Sequence, residues 1–398
     1  MIRVLVVDDS VVVRRLIVDS LTGAPDIEVV GTAANGLLAQ AKIDQLKPDA
    51  VTMDIEMPQM DGIAAVRELR KRHKHLPVIM FSTLSASGAS ATLEALSAGA
   101  TDYVTKPSNV GSIAESIAAV RDQLVPKIHA LAGRRPSGPP GPPARPGPVP
   151  GRPGLNPALA TRPGGPVPGR PGLAPTRPGA PAGAGPARPA RRAGVAGRVD
   201  ILAIGSSTGG PDALTKVLQA LPADLPVPIV VTQHMPPVFT RMFAERLDRS
   251  TPLHVVEAGD GMELAPGTVY IAPGDKHLVL QRRGTATLTQ LSAAPPENSC
   301  RPAVDVMFRS VAALYGASAF AAVLTGMGYD GRGGAKVLRE AGAEILAQDE
   351  ASSVVWGMPG AVVGAGLADE ILPLDRIAAA LMQRLQAGRV SRPTAVTR

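Results

Sequence analysis

Residues 131–199 contain 19 prolines, 15 glycines and 11 arginines, and no Lys, Asp or Glu. Such a polymer buries too little apolar surface to offset the entropy lost in ordering it. The block GPVPGRPGL recurs at 147–155 and 165–173, but this 18-residue period has no apolar face to stack, so it is no solenoid. A disordered, extended and partly polyproline-II linker over 131–198 is predicted. The rest of the chain must then fold as two bodies, 1–125 and 199–388, with a frayed tail from Val390.

The linker also accounts for the charge. Subtracting its 11 arginines from the net +7 leaves −4, so the folded parts are mildly acidic. A basic segment can be drawn to polyanions or a membrane surface, but a solvated tether is the simpler reading. Aromatic residues are only 3% of the chain, which argues against a nucleic-acid binder built on base stacking. One cysteine, Cys300, excludes an internal disulfide and a metal site built from cysteines. The opening MIRVLVVDDS has too short an apolar run for a signal-peptide core. No apolar stretch approaches the ~18 residues of a membrane span. A soluble cytosolic protein without membrane insertion is expected.

Residues 1–125 alternate strand-like runs (3–7, 27–32, 50–53, 78–82, 102–104) with amphipathic segments, a (βα)₅ rhythm that implies a parallel sheet covered on both faces. Its strand ends carry Asp8 and Asp9, Asp54, Ser82, and Lys106 followed by Pro107. Three carboxylates converging at one sheet edge repel unless a hard cation sits among them, and an oxygen-rich acidic cup suits Mg²⁺. Asp54 is then a carboxylate nucleophile towards a phosphoryl donor. Lys106 would pair with the added charge, and the Ser82 hydroxyl would bond one of its oxygens. VLVVDDS, DIEMPQMDG, FSTLS and DYVTKP closely resemble the receiver domain of two-component response regulators. That resemblance implies a flavodoxin-like fold and phosphorylation of Asp54 by a histidine kinase. It also implies Mg²⁺ held by Asp9, Asp54 and the Glu56 carbonyl, and an aromatic switch at Tyr103; an ordinary edge-strand tyrosine is the alternative there.

Residues 199–388 resume the alternation, with strands predicted at 200–204, 229–232, 268–271, 321–324 and 344–347. Three apolar runs each end in a residue of serine-hydrolase type. VDILAIG runs into Ser207 on a glycine-rich turn, PIVVTQ into His234, and AAVLTGMGY into Asp330. In an open parallel sheet the carboxyl ends of the strands share one edge, so these three can meet as nucleophile, base and orienting acid. Backbone N–H groups at the helix start after Ser207 could stabilise an oxyanion. Phosphate or dinucleotide binding also uses glycine-rich turns, but the spacing here is not G-x-G-x-x-G. A metal is the rival use of His234 and Asp330, and it lacks a second histidine or acid at ligand spacing. His277 either lines the site or is satisfied locally in a loop.

The Ser, His, Asp order and the absence of a G-x-S-x-G elbow set this region apart from α/β-hydrolases. AIGSSTGG, TQHMPPVFT, YIAPGDKHL, RPAVDVMF, LTGMGYDG and AQDEASSVVWGMP instead resemble the catalytic domain of the CheB family of chemotaxis methylesterases. With the receiver ahead of them, the likeness covers essentially the whole chain. It implies a Rossmann-like parallel sheet with Ser207 as nucleophile, His234 as base, Asp330 as its orienter and the Met327 amide as oxyanion donor. It implies no cofactor for ester hydrolysis. The substrate would be methylated chemoreceptors and the phosphodonor a chemotaxis histidine kinase. Phosphorylation of the receiver would uncover the esterase. Ser206 and Ala303 depart from the family pattern, where a small apolar residue and a serine are usual. A phosphate-sequestering adaptor and a receiver-linked esterase for small esters are the competing readings.

Overall fold

The computed structural model describes residues 1–107, 112–133 and 197–387. The expected linker and the tail from Val390 lie outside the described residues, apart from the linker's edges.

The N-terminal domain runs β1 (Ile2–Val7), α1 (Val11–Thr22), β2 (Ile27–Ala33), α2 (Gly36–Leu46), β3 (Ala50–Asp54), α3 (Gly62–Arg72), β4 (Val78–Ser82), α4 (Ala86–Ser97), β5 (Asp102–Thr105) and α5 (Ile113–Ala132). Each helix starts where a short polar side chain caps it. Ser10, Asn35, Asp61, Ser85 and Ser112 accept from the backbone N–H of Val13, Leu38, Ala64, Gly88 and Glu115. One such cap stabilises a helix by about 1 kcal/mol. The strands pair in parallel in the order β2-β1-β3-β4-β5, the flavodoxin-like arrangement. β3 and β4 are buried along their whole length, as a sheet covered on both faces requires. α5 extends beyond the boundary expected at 125, through the first residues assigned to the linker. Val120, Leu124, Ile128 and Leu131 recur at helical spacing and bury one face of it.

The C-terminal domain runs β6 (Ile201–Ser206), α6 (Gly210–Gln219), β7 (Ile229–Gln233), α7 (Phe239–Ser250), β8 (His254–Glu257), β9 (Thr268–Ile271), β10 (His277–Arg283), β11 (Ala286–Ser292), α8 (Val304–Tyr315), β12 (Ala319–Val323), α9 (Arg332–Glu340), β13 (Glu344–Gln348), α10 (Met358–Gly364), β14 (Glu370–Leu372) and α11 (Leu374–Gln386). Seven strands pair in parallel in the order β14-β13-β12-β6-β7-β9-β8. The expected strands are all present, with edge strands β8 and β14 added. β10 and β11 form a separate antiparallel hairpin that the sequence reading did not anticipate. His277 opens that hairpin fully buried. One ring nitrogen pairs with the Pro295 carbonyl and the other accepts from the Ala303 N–H, so its role is local.

Both domains belong to one compact unit and meet along β5, α4, α6 and α7. The Tyr103 ring stacks on Phe239 at 5.0 Å between centroids. The Thr208 hydroxyl donates to Asp102 Oδ2 at 2.8 Å, and Arg246 donates to the Ser97 hydroxyl at 2.5 Å. Val355 is buried in the cluster formed by Val104, Leu124 and Ile128, with Met327 packed against it.

Candidate active site

β6 lies between β7 and β12, so the segments that leave these three strands emerge side by side at the carboxyl edge. Ser207 follows β6 directly. Its N–H donates to the Thr325 carbonyl at 3.0 Å, and its carbonyl accepts from the Gly210 N–H at 2.7 Å. The turn closes because Gly209 takes φ +75°, a left-handed conformation open to glycine at little cost. Gly326 lets the β12 segment approach, since a Cβ there would lie 2.9 Å from the Ser207 Cβ. Among the described residues no acceptor engages the Met327 backbone N–H.

Gln233 joins this turn to the histidine strand. It accepts from the buried Ser206 hydroxyl at 2.7 Å and donates to the carbonyls of Ser207 and His234 at 3.0 and 3.2 Å. Ser206, a departure from the family pattern, therefore satisfies a buried amide.

His234 follows β7. Its Nε2 lies 2.8 Å from Asp330 Oδ2 and its Nδ1 lies 3.6 Å from Cys300 Sγ. With Nε2 engaged, Nδ1 is the nitrogen left for a reacting proton. Among the described residues no hydrogen bond joins the Ser207 hydroxyl to the ring. The structure thus pairs His234 with Asp330 and brings Ser207 to the same sheet edge. Burial works against a charged ring here, but Asp330 first and then Cys300 outweigh it and raise His234 from 6.5 to about 9.

Asp330 is 2% exposed. Oδ2 also accepts from the Val304 N–H at 2.6 Å. Oδ1 accepts from the N–H groups of Asp305 and Gly331, both at 3.0 Å, and from Asn298 Nδ2 at 2.9 Å. Val304 and Asp305 open α8, whose N-cap, Ala303, has no side-chain oxygen. Asp330 supplies that cap from another segment. Burial opposes the charged carboxylate, but His234 and the α8 amides overcome it and hold the acid below its usual range.

Sequence reasoning missed Gln233, Asn298, Cys300 and the Thr208–Asp102 pair. Asn298 and Cys300 arrive on one tight turn, Glu297–Cys300. Its backbone closes through reciprocal N–H···O bonds at 3.0 and 2.9 Å, and Asn298 and Ser299 take φ of +52° and +62°. Arg309 braces it through two bonds to the Glu297 carboxylate, at 2.7 and 2.6 Å.

The second constellation lies at the carboxyl edge of the N-terminal sheet. Single oxygens of Asp8, Asp9 and Asp54 come within 4.8 Å of one another. Lys106 Nζ sits 2.7 Å from Asp54 Oδ1 and 3.4 Å from Asp8 Oδ2. Burial, then the neighbouring Asp54, raises Asp8 from 3.8 to about 6, and burial raises Asp54 against the pull of Lys106. Asp8 Oδ2 is buried with only the Lys106 ammonium facing it at 3.4 Å, outside hydrogen-bonding geometry. An orphaned carboxylate oxygen in an acidic cup is the donor set a hard divalent cation takes. The cup opens into a cleft that Asp9, Glu56, Met57 and Asp61 line. Asp8 thus sits inside the cup rather than only beside it. The Ser82 hydroxyl faces α4, accepting from Thr92 at 2.7 Å and donating to the Gly88 carbonyl at 3.1 Å. Tyr103 lies on the edge strand β5 and is buried there, stacked on Phe239.

Comparison with known proteins identifies a family for each of the two domains. A family model described as CheB methylesterase matches residues 202–381, and one described as response regulator receiver domain matches residues 4–118. A protein-glutamate methylesterase/protein-glutamine glutaminase of Nocardioides sp. is 51% identical over 390 residues, covering 98% of this chain and 97% of its own. One of the same name from Trichodesmium erythraeum is 44% identical over 96% of this chain and 99% of its own. The crystal structure of the Thermotoga maritima CheB methylesterase catalytic domain is 44% identical and aligns with a TM-score of 0.46, covering 46% of this chain and 98% of that one.

An acid raised in the folded state contributes its stability below the unfolded value and loses it as pH climbs through the folded one. For Asp8 that window runs from 3.8 to about 6. Asp8→Asn should therefore stabilise the metal-free protein at pH 7 by about 1–3 kcal/mol and do little at pH 3. Denaturant unfolding in EDTA at both pH values measures this; equal midpoints for mutant and wild type at pH 7 would contradict it.

Proposed function

The chain belongs to the protein-glutamate methylesterase/protein-glutamine glutaminase family, and on that premise we propose that Ser207, His234 and Asp330 hydrolyse glutamyl methyl esters under control of phosphorylation at Asp54. The enzyme is a serine hydrolase acting in chemotaxis-type adaptation, with a receiver at 1–125 and the esterase at 199–388. The observation that carries the assignment is His234 held by a buried, five-fold hydrogen-bonded Asp330 beside the Ser207 turn.

Ser207 Oγ attacks the ester carbonyl carbon while His234 Nδ1 takes its proton. The oxyanion forms beside the free Met327 N–H. Collapse breaks the C–O bond, and the imidazolium returns its proton to the departing methanol. Water, deprotonated by the same nitrogen, then attacks the acyl-enzyme and releases the glutamate. With a glutamine side chain the leaving group is ammonia, the deamidase counterpart. Asp330 stays ionised throughout, holding the ring and stabilising its charged form.

In the receiver, Asp54 takes the phosphoryl group from a histidine kinase, and the P–N bond of the donor breaks. Asp8, Asp9, Asp54 and the Glu56 carbonyl are the residues that would hold Mg²⁺. When bound, the ion offsets charge on the phosphoryl oxygens. Lys106 moves with the new charge, and Ser82 turns from α4 towards it. β5 links these events to the esterase, because it carries Asp102 and Tyr103 and leads directly to Lys106. Asp102 holds Thr208, the residue after the nucleophile, so the unphosphorylated receiver restrains the catalytic turn. The substrates are the cytoplasmic helices of methylated chemoreceptors, which puts the enzyme in the cytoplasm. No described helix is long and apolar enough to cross a membrane.

Three outcomes follow. Ser207→Ala should cut demethylation of receptor by at least about 10³-fold. Ser206→Ala removes one buried hydrogen bond and should cost no more than about tenfold. The reverse ranking, read from methanol release, would place the nucleophile one residue earlier. The reaction needs a neutral imidazole, so log kcat/KM should rise with pH until it levels near the His234 value of about 9. A profile already flat at pH 7 would contradict that. Asp54→Asn should keep basal methanol release and lose its stimulation by acetyl phosphate; retained stimulation would remove Asp54 from the control.

A further inference from the structure

One contact at His234 bears on the metal alternative raised from the sequence. Cys300, 66 positions from His234 in sequence, brings its Sγ to 3.6 Å from Nδ1. A tetrahedral ion bonded at about 2.3 Å to sulfur and about 2.05 Å to nitrogen holds those two atoms about 3.6 Å apart. The other ring nitrogen is already paired with a carboxylate, the arrangement that orients a metal-bound histidine and raises its basicity. Asp330 stays on the Nε2 side of the ring, so the ligands the chain offers on the Nδ1 side are this nitrogen and the sulfur, with solvent to complete the shell. The cysteine is not a chance neighbour on a loose loop. Its turn is fixed by two backbone bonds, by the Glu297–Arg309 pair, and by Asn298 donating to both Asp305 and Asp330.

We propose that His234 Nδ1 and Cys300 Sγ form a binding site for a thiophilic divalent cation, Zn²⁺ by ligand chemistry, and that occupancy silences the esterase. On binding, the thiol gives its proton to solvent, any proton on Nδ1 leaves as well, and both atoms donate to the metal. The lone pair that would accept the Ser207 proton is then engaged, so the triad has no base. Binding rests on the geometry alone, whereas inhibition also rests on the esterase reading above. The site is distinct from the receiver cup, whose ligands are all oxygen and suit a hard ion.

Co²⁺ is the probe, titrated into the reduced full-length protein with Mg²⁺ in excess to fill the receiver. The chain has one cysteine, so any thiolate-to-cobalt absorption band reports Cys300. The expected result is a band that saturates at one equivalent, is displaced by Zn²⁺, and is accompanied by loss of methanol release. In Cys300→Ser the band should vanish and Zn²⁺ affinity, by competition with a chromophoric chelator, should fall by at least the ~10-fold that losing a mere outer-shell partner costs. No band in wild type, or a band that forms only as light scattering detects dimers, would overturn the site. A band with esterase activity untouched by Zn²⁺ would uphold the site and overturn the silencing.

Discussion

The carboxylate of Asp330 is the interaction on which this active site depends. A buried acid is costly unless its lone pairs are filled, and here five donors fill them. Three are backbone N–H groups, two of them from the first turn of α8, where the helix dipole also favours negative charge. The acid therefore serves two ends at once. It caps a helix whose own N-cap position is alanine, and it fixes the ring plane of His234. Because the donors come from β12's loop, from α8 and from the 297–300 turn, the base is oriented only when all three segments are folded.

In the account proposed above, control reaches this site through a short physical path. Lys106 stands against Asp54, and three and four residues earlier Tyr103 and Asp102 touch the esterase domain. Met327, the proposed oxyanion donor, lies against the same receiver-side cluster. The two constellations thus share one contact region, which keeps the coupling local.

The chemistry was legible in sequence because parallel sheets gather their strand ends, so a residue's place after an apolar run locates it in space. That logic put Ser207, His234 and Asp330 on one edge, and Asp8, Asp54 and Lys106 on another. It found the core strands, whose buried runs are continuous. It did not find β8, β14 or the β10–β11 hairpin, which lie at edges or outside the sheet and carry weaker patterns. It also missed Asn298 and Cys300, because a tight turn delivers them and their partners lie 32 and 66 positions away. The Asp102–Thr208 bond, spanning 106 positions, leaves no local signature at all. The helix α5 runs past the domain boundary expected at 125, because the helically spaced Val120, Leu124, Ile128 and Leu131 face continues beyond it.

The central claim is that a phosphorylated Asp54 releases the reactivity of Ser207. Reaction of the full-length protein with a serine-directed fluorophosphonate, followed by peptide mass spectrometry, tests it most directly. The account predicts labelling at Ser207, at a rate that rises when acetyl phosphate and Mg²⁺ are added. Label on another residue, or a Ser207 rate indifferent to the phosphodonor, would contradict it.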